Sequence, residues 1–94
     1  MTKYVIISQL TDDGARTLKN NPERIKEVNE ELKEIGVDVL EQYFVLGDFD
    51  FLNIVDAEDE NAVSKAVVEL ASRGSIKTKT YTAIPINKFS GLFE

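Results

Sequence analysis

Apolar residues in the first half of the chain follow two successive spacings. Residues 4–10 are rich in β-branched and apolar side chains, which is typical of a buried strand. From residue 15 to residue 35 the apolar positions recur at steps of three and four, the pattern of an amphipathic helix. Pro22 interrupts this pattern and predicts a kink or a restart, since proline disfavours helical angles in the residue before it. Gly36 predicts the end of the helix.

The second half of the chain repeats the strand and helix pattern. Residues 37–46 and 49–55 are predicted to be strands, and Gly47-Asp48 between them suits a two-residue hairpin turn with a positive φ at the glycine. Acidic residues 56–59 open a second helix with apolar positions from 62 to 70, and Gly74 ends it. Residues 75–84 form a β-branched fourth strand that Pro85 terminates.

The predicted order of elements is β-α-β-β-α-β. With right-handed crossovers this order gives an α+β, ferredoxin-like sandwich: a four-stranded antiparallel sheet with both helices on one face. Residues 1–85 are predicted to form this single domain, and residues 86–94 to form a C-terminal tail. The tail carries three large apolar side chains, Phe89, Leu92 and Phe93.

Both faces of the predicted sheet carry apolar residues. In the third strand Leu52 and Ile54 point to one face, and Phe49, Phe51 and Val55 to the other. Two helices cover one face only, so a second copy of the sheet is the simplest cover for the other. We therefore predict a homodimer or a higher homo-oligomer. Its predicted interface residues are Tyr43, Val45, Phe49 and Phe51, and in the second strand Val39, Tyr43 and Val45 are expected to face away from Leu40, Phe44 and Leu46.

Composition and charge exclude several functions. The 94 residues include 11 Lys and Arg against 17 Asp and Glu, a formal net charge of −6 with no basic region, so we expect neither a nucleic-acid nor a membrane partner. The absence of His and Cys removes thiol nucleophiles, imidazole bases and the common transition-metal ligands, and we expect no metal or cofactor. The apolar segment at residues 4–7 is too short for a signal peptide or a membrane span, which favours a cytoplasmic protein.

Three groups of residues have competing interpretations: an aspartate pair, an aromatic pair and an acidic segment. Asp48 and Asp50 flank the predicted hairpin, where a carboxylate pair can act as acid and base, but a turn residue and an anchor for strand-end amides are the simpler roles. Phe49 and Phe51 could stack bases as in RNA-recognition motifs, yet the two aspartates would repel phosphates. The acidic residues 56–60 could in principle ligate a metal ion, although their place at a helix start is explained by the helix dipole.

Spaced motifs along the chain resemble the GYD-domain family over about residues 4–83. In order they are Tyr4, Thr11-x-x-Gly14, Pro22-x-Arg24, Gly36, Gly47-Asp48-Phe49-Asp50, Asp59, Ala62, Gly74-x-Ile76-x-Thr78-x-Thr80 and Ala83. The family is named for Gly-x-Tyr-Asp, and Phe49 stands here in place of the tyrosine. The resemblance implies a ferredoxin-like fold of the dimeric α+β barrel kind, and it implies no activity.

Two functions remain open from the sequence. We expect a non-catalytic module that binds a small molecule or a protein partner. The alternative is a cofactor-independent monooxygenase or isomerase, which would need a hollow pocket holding Asp50, Asn53 or Tyr81 and an acid of shifted pKa. The candidate ligand-binding residues are Tyr43, Phe49, Asp50, Asn53 and Tyr81.

Overall fold

The computed structural model describes all residues from 1 to 94 and contains four strands and four helices. The predicted strand and helix order is confirmed, except that the first helix is divided in two and a short helix lies in the predicted tail. In chain order the elements are β1 (Thr2–Leu10), α1 (Asp12–Asn20), α2 (Arg24–Ile35), β2 (Val37–Phe44), β3 (Phe51–Ala57), α3 (Glu60–Ser72), β4 (Ile76–Ala83) and α4 (Ile86–Gly91).

The four strands form one antiparallel sheet in the order β2-β3-β1-β4. In the register of the sheet Tyr4 pairs with Val55 on one side and with Thr82 on the other. Helices α1, α2 and α3 pack on one face, and the buried core lies between them and the sheet. The α+β, ferredoxin-like prediction is therefore confirmed. The core residues are Tyr4, Ile6, Leu32, Val37, Val55, Ala57, Val63, Ala66 and Leu70.

Local signals set the ends of the first two helices, as the sequence predicted. The Thr11 hydroxyl oxygen caps α1 by accepting a hydrogen bond from the Gly14 N–H at 3.1 Å. The chain leaves the helical path at Asn21, immediately before Pro22, and α2 starts at Arg24. Gly36 then ends α2 in the left-handed conformation, with φ of 102°.

The connection between β2 and β3 differs from the predicted two-residue hairpin. Residues 45–50 form a wider loop, closed by the Val45 N–H donating to the Asp50 carbonyl oxygen at 2.7 Å. Gly47 does not have a positive φ, so the predicted turn is wrong. The physical reason lies in β1: the Asp50 N–H donates to the Ser8 carbonyl at 2.9 Å, and the Asp50 carboxylate accepts from the Leu10 N–H at 2.7 Å. These bonds fix the end of the loop to β1 instead of to a tight turn.

A β-bulge at Leu40 changes the faces of β2. Val39 pairs with Val55 and Glu41 pairs with Ile54, which leaves Leu40 as an extra residue. From this point the alternation along β2 is reversed, so Val39 and Tyr43 lie on opposite faces. The prediction that these two residues share a face is wrong for this reason.

The face of the sheet opposite the helices has no cover. We call it the open face; its central apolar residues are Val5, Ile7, Leu52 and Ile54, which pair with one another across β1 and β3. Tyr43 and Tyr81 lie on the same face at the two edge strands and are about half exposed, 52% and 53%. None of the helices has the length and apolar character needed to cross a membrane.

Candidate functional site

A cavity of about 150 Å³ lies between the sheet and helices α1 and α2. Ser8 and Phe51 contribute to its floor from β1 and β3, and Val28 to its roof from α2. Phe51 packs edge-on against Phe44, with ring centroids 5.4 Å apart. Phe51 therefore faces the helices of its own chain, and the prediction that it lies on the face that meets a second copy is wrong. The other apolar lining residues are Ile6, Leu10, Leu18, Ile25, Leu32, Val39, Val55, Leu70 and Ile76.

Three side-chain amides form a connected chain along one wall of this cavity. The Asn29 amide donates to the Gln42 side-chain oxygen at 2.8 Å, and the Gln42 amide donates to the Asn53 oxygen at 2.8 Å. The Asn53 amide in turn donates to the Ile6 carbonyl at 3.3 Å. The chain links α2, β2, β3 and β1, and it holds polar donors and acceptors against an otherwise apolar space. We call Asn29, Gln42 and Asn53 the amide triad.

Of the amide triad, only Asn53 was among the binding residues predicted from the sequence; Asn29 and Gln42 were not. Gln42 reaches the cavity only because the bulge at Leu40 reverses the faces of β2. A signal was present for Asn29, which lies one helical turn from both Ile25 and Leu32 and so falls within the apolar stripe of α2.

Two arginines line the outer part of the cavity and share one carboxylate. Glu31 accepts a hydrogen bond from Arg73 at 2.6 Å and another from Arg24 at 3.1 Å. Arg24 also pairs with Glu27 at 3.2 Å, and Arg73 with Glu69 at 3.3 Å. The hydrogen bond from Arg73 is the main cause that lowers the pKa of Glu31 below its ordinary value, and Arg24 adds to it. Three carboxylates thus surround two guanidinium groups at this rim.

The other predicted ligand-binding residues do not lie in the cavity. Tyr43 and Tyr81 are on the open face, and the Tyr43 hydroxyl donates to the Glu41 carboxylate at 3.0 Å, which raises the pKa of Tyr43. Phe49 is half-buried in the loop before β3. The carboxylate of Asp50 holds the strand-end amide of Leu10, the anchoring role considered from the sequence. Of the five predicted residues, only Asn53 therefore lines the cavity. Tyr43 and Tyr81 lie on the opposite face of the sheet, and Phe49 and Asp50 lie in the loop before β3.

The acidic residues at the start of α3 have structural partners. The Asp59 carboxylate caps the helix by accepting from the Asn61 and Ala62 N–H groups, both at 3.1 Å. Asp56 pairs with Lys3 at 3.3 Å across the sheet. Asp59 therefore has the predicted capping role, whereas Asp56 lies in β3 and not at the helix start predicted for it.

The cavity is suited to binding by neutral hydrogen bonds. Its only charged lining residues are Arg24 and Arg73, and no carboxylate lines it. Asp50 and Tyr81, named in the enzyme interpretation, are not among its lining residues. What the walls offer is apolar surface, the amide triad and hydroxyl groups from Ser8 and Thr78.

The family model of the GYD domain matches residues 4–92. The chain belongs to the GYD-domain family. The resemblance drawn from the spaced motifs is thereby confirmed, and the match extends beyond the motifs to include α4. Phe49 is the position at which this GYD-domain protein lacks the tyrosine that gives the family its name.

One relative of this GYD-domain protein is named for the two enzymes that it binds. It is the glutamine synthetase and cystathionine beta-lyase binding protein of Thermus thermophilus, 58% identical over 87 residues, which cover 92% of each chain. Among solved structures, TTHA0845, also from Thermus thermophilus, has a TM-score of 0.59 at 20% identity, covering 90% of this chain and 95% of its own. MtbAldR has a TM-score of 0.68 at 20% identity over 89% of this chain, which spans 52% of the length of MtbAldR. These two structures support the ferredoxin-like fold.

Proposed function

We propose that this protein is a small cytoplasmic homodimer that binds partner enzymes without catalysing a reaction, and that glutamine synthetase and cystathionine β-lyase are among its partners. The observation that carries the choice of partners is the 58% identity to a relative named for binding these two enzymes. The identity extends over 92% of both chains, so it includes nearly all of the surface that a partner could contact.

The amount of exposed surface supports the homodimer. The chain exposes 6614 Å², whereas a globular monomer of 10.6 kDa exposes about 5,500 Å². The excess of about 1,100 Å² exceeds the roughly 800 Å² that each partner buries in a standard protein interface. Only 11 of the 94 residues are buried, which is consistent with a chain whose core is completed by a second copy.

Charge on the open face supports a second copy as its cover. Lys77 and Lys79 lie on this face at the β4 edge, and Glu41 lies on it at the β2 edge. A two-fold axis parallel to the strands places the β4 edge of one copy opposite the β2 edge of the other. In that arrangement Glu41 lies about 7 Å along the strands from the row of the partner's Lys79, within reach of the lysine side chain, while Leu52 and Ile54 pack at the centre. The proposed interface therefore retains Tyr43 from the sequence prediction and replaces Phe51 with these two residues.

The C-terminal segment fits the same proposal. The apolar side chains of α4 and the residues after it are largely exposed in the single chain: Phe89 is 47%, Leu92 71% and Phe93 77% exposed. Exposed apolar groups of this size favour contact with another protein. We propose that α4 packs on the second copy and contributes to the area that the dimer buries.

Sedimentation velocity tests the dimer with a matched pair of variants. Ile54→Glu places a carboxylate at the centre of the open face, and Val68→Glu makes the same type of change on α3, where Val68 is 67% exposed. Wild type and Val68→Glu should sediment at twice 10.6 kDa, and folded Ile54→Glu at 10.6 kDa. Circular dichroism is used to check that both variants are folded. A monomeric wild type, or a dimeric Ile54→Glu, would contradict the proposed interface.

Binding of the enzymes is tested by isothermal titration calorimetry with purified glutamine synthetase and cystathionine β-lyase from the same organism. The proposal expects saturable binding of the dimer to at least one of the two enzymes and none to an unrelated enzyme of similar net charge. If the folded protein gives no heat of binding with either enzyme, the proposed partners are refuted.

A small-molecule ligand is a second candidate function, and the internal cavity favours it. Its volume of about 150 Å³ lies inside one chain, away from the open face that the dimer would use. A ligand there and a protein partner outside are compatible with each other.

A further inference from the structure

We infer that the cavity between the sheet and helices α1 and α2 is a binding site for a small uncharged molecule that has a compact apolar body and one hydrogen-bonding group, such as a carboxamide. This inference deepens the second candidate function and depends on it. It is independent of the proposed binding to enzymes, because the cavity lies inside the single chain.

The size of the cavity limits the ligand. An apolar cavity of about 150 Å³ accepts a molecule the size of benzene, and this cavity has the same volume. Phe51, Val28 and Leu32 supply apolar walls on the sheet side and the helix side. The part of the ligand that the cavity encloses is therefore a single ring or a branched aliphatic group.

The amide triad selects a ligand with a polar group. A carboxamide side chain carries two N–H donors and an oxygen with two lone pairs, so the three residues retain capacity beyond their bonds to one another. Asn53 uses one donor on the Ile6 carbonyl and its oxygen on Gln42, which leaves a second donor and a lone pair. Polar groups beside an apolar space favour an occupant that hydrogen-bonds them over one that does not.

The charges at the rim select against an anion. Arg24 and Arg73 are the charged residues of the lining, and both already hold Glu31. With Glu27 and Glu69 included, three carboxylates face two guanidinium groups, so the rim is net negative and a ligand carboxylate would be repelled by it. An uncharged polar group meets no such cost.

Three probes of similar size separate these requirements: benzamide, which is neutral and polar; benzoate, which is anionic; and toluene, which has no hydrogen-bonding group. Each is titrated into the purified protein alone, and binding is followed by the ¹⁵N–¹H signals of the Asn29, Gln42 and Asn53 side chains. We expect benzamide to shift these signals saturably. Its dissociation constant should be about tenfold lower than that of benzoate or toluene, the effect of one well-formed hydrogen bond or of one uncompensated charge.

Variants test whether the amide triad makes the contact. Asn53→Leu keeps the approximate volume of the side chain and removes its amide, so it should weaken benzamide binding about tenfold. Asn61→Leu makes the same change at an exposed position of α3 and should leave binding unchanged. Val28→Phe fills the cavity from α2 and should abolish binding of all three probes. Because Asn53→Leu also removes a partner of Gln42, Val28→Phe provides an independent test if the first variant does not fold.

The inference is overturned if benzamide shifts none of the triad signals at concentrations near its solubility limit. It is also overturned if folded Val28→Phe binds benzamide as well as the wild type does. Equal or tighter binding of benzoate would refute the uncharged class, and equal binding of toluene would refute the role of the triad. None of these results depends on whether the protein binds glutamine synthetase, so failure of one proposal is distinguishable from failure of the other.

Discussion

Gly14 packs directly against the chain that leads into β4, and its replacement by alanine is expected to destabilise the fold strongly. A Cβ atom at Gly14 would lie 2.9 Å from the Ser75 carbonyl carbon and 3.2 Å from Leu10 Cδ2, and closer still to the Ser75 carbonyl oxygen. Ordinary contacts begin at 3.4 Å, so the Ser75 carbonyl group would have to move by more than about 1 Å to clear its oxygen. This backbone is part of the connection between α3 and β4 and has no flexible side chain that could give way.

The movement would also weaken the bonds that hold α1 to β4. The Ser75 carbonyl accepts from the Thr11 N–H at 3.0 Å and from the Thr11 hydroxyl at 3.1 Å. Overpacking costs about 1–3 kcal/mol and a lost hydrogen bond about 1 kcal/mol, while alanine regains about 1 kcal/mol of helix propensity. The free energy of unfolding should therefore fall by about 1–3 kcal/mol. For a domain of this size that corresponds to a melting temperature lower by roughly 4–24 °C.

Urea unfolding followed by circular dichroism measures this effect, with all variants at one protein concentration because dimerisation contributes to stability. Gly91→Ala is the matched control, since Gly91 lies in α4 and a Cβ there meets only the end of Glu94 at 3.9 Å. The control should remain within about 0.5 kcal/mol of the wild type. A Gly14→Ala variant as stable as the control would refute the close packing of α1 on the β4 entry.

Three further variants test the β2–β3 loop, its anchor on β1 and the ion pairs of Glu31. Gly47→Ala should change the free energy of unfolding by less than about 0.5 kcal/mol, because Gly47 lacks a positive φ and has open space around it. A loss of stability above about 1 kcal/mol in urea unfolding would instead support the predicted two-residue hairpin. Asp50→Ala should lower stability by about 1–2 kcal/mol, since it removes the acceptor of the Leu10 N–H; an unchanged urea midpoint would contradict that role. The arginines lower the pKa of Glu31 in the folded state, so its charge stabilises the fold above the ordinary glutamate pKa and this stabilisation is lost as the pH falls below about 4. Wild type should accordingly exceed Glu31→Gln in thermal stability at about pH 7, and the difference should shrink toward about pH 3; a constant difference would show that the ion pairs do not carry it.

Features that depend on neighbouring residues were predictable from the sequence. The break at Pro22 and the left-handed end of α2 at Gly36 follow from the conformations that proline and glycine favour, and both are found where the pattern placed them. The order of the strands follows from the element order and the handedness of the crossovers. The presence of two apolar sheet faces was also predictable from the alternation in β3, but the face that meets the helices was assigned wrongly, since Phe51 faces the helices and Leu52 and Ile54 lie on the open face.

Features that depend on distant residues were not predictable in the same way. The loop before β3 is fixed by bonds from Asp50 to β1, some 40 residues away, and these override the local preference of Gly47 for a tight turn. The bulge at Leu40 has no clear mark in the sequence, yet it decides which face Tyr43 and Gln42 occupy. Gln42 joins the amide triad only because of that bulge, so it was outside the predicted site.

Native mass spectrometry of the protein mixed with glutamine synthetase from the same organism tests the central claim most directly. The Thermus thermophilus relative with its own enzyme serves as the positive control. The proposal predicts a dimer of twice 10.6 kDa in the protein alone, and in the mixture an added mass of one or more such dimers on the synthetase. A monomer that adds no mass to the synthetase, under conditions in which the relative does, would contradict the proposed function.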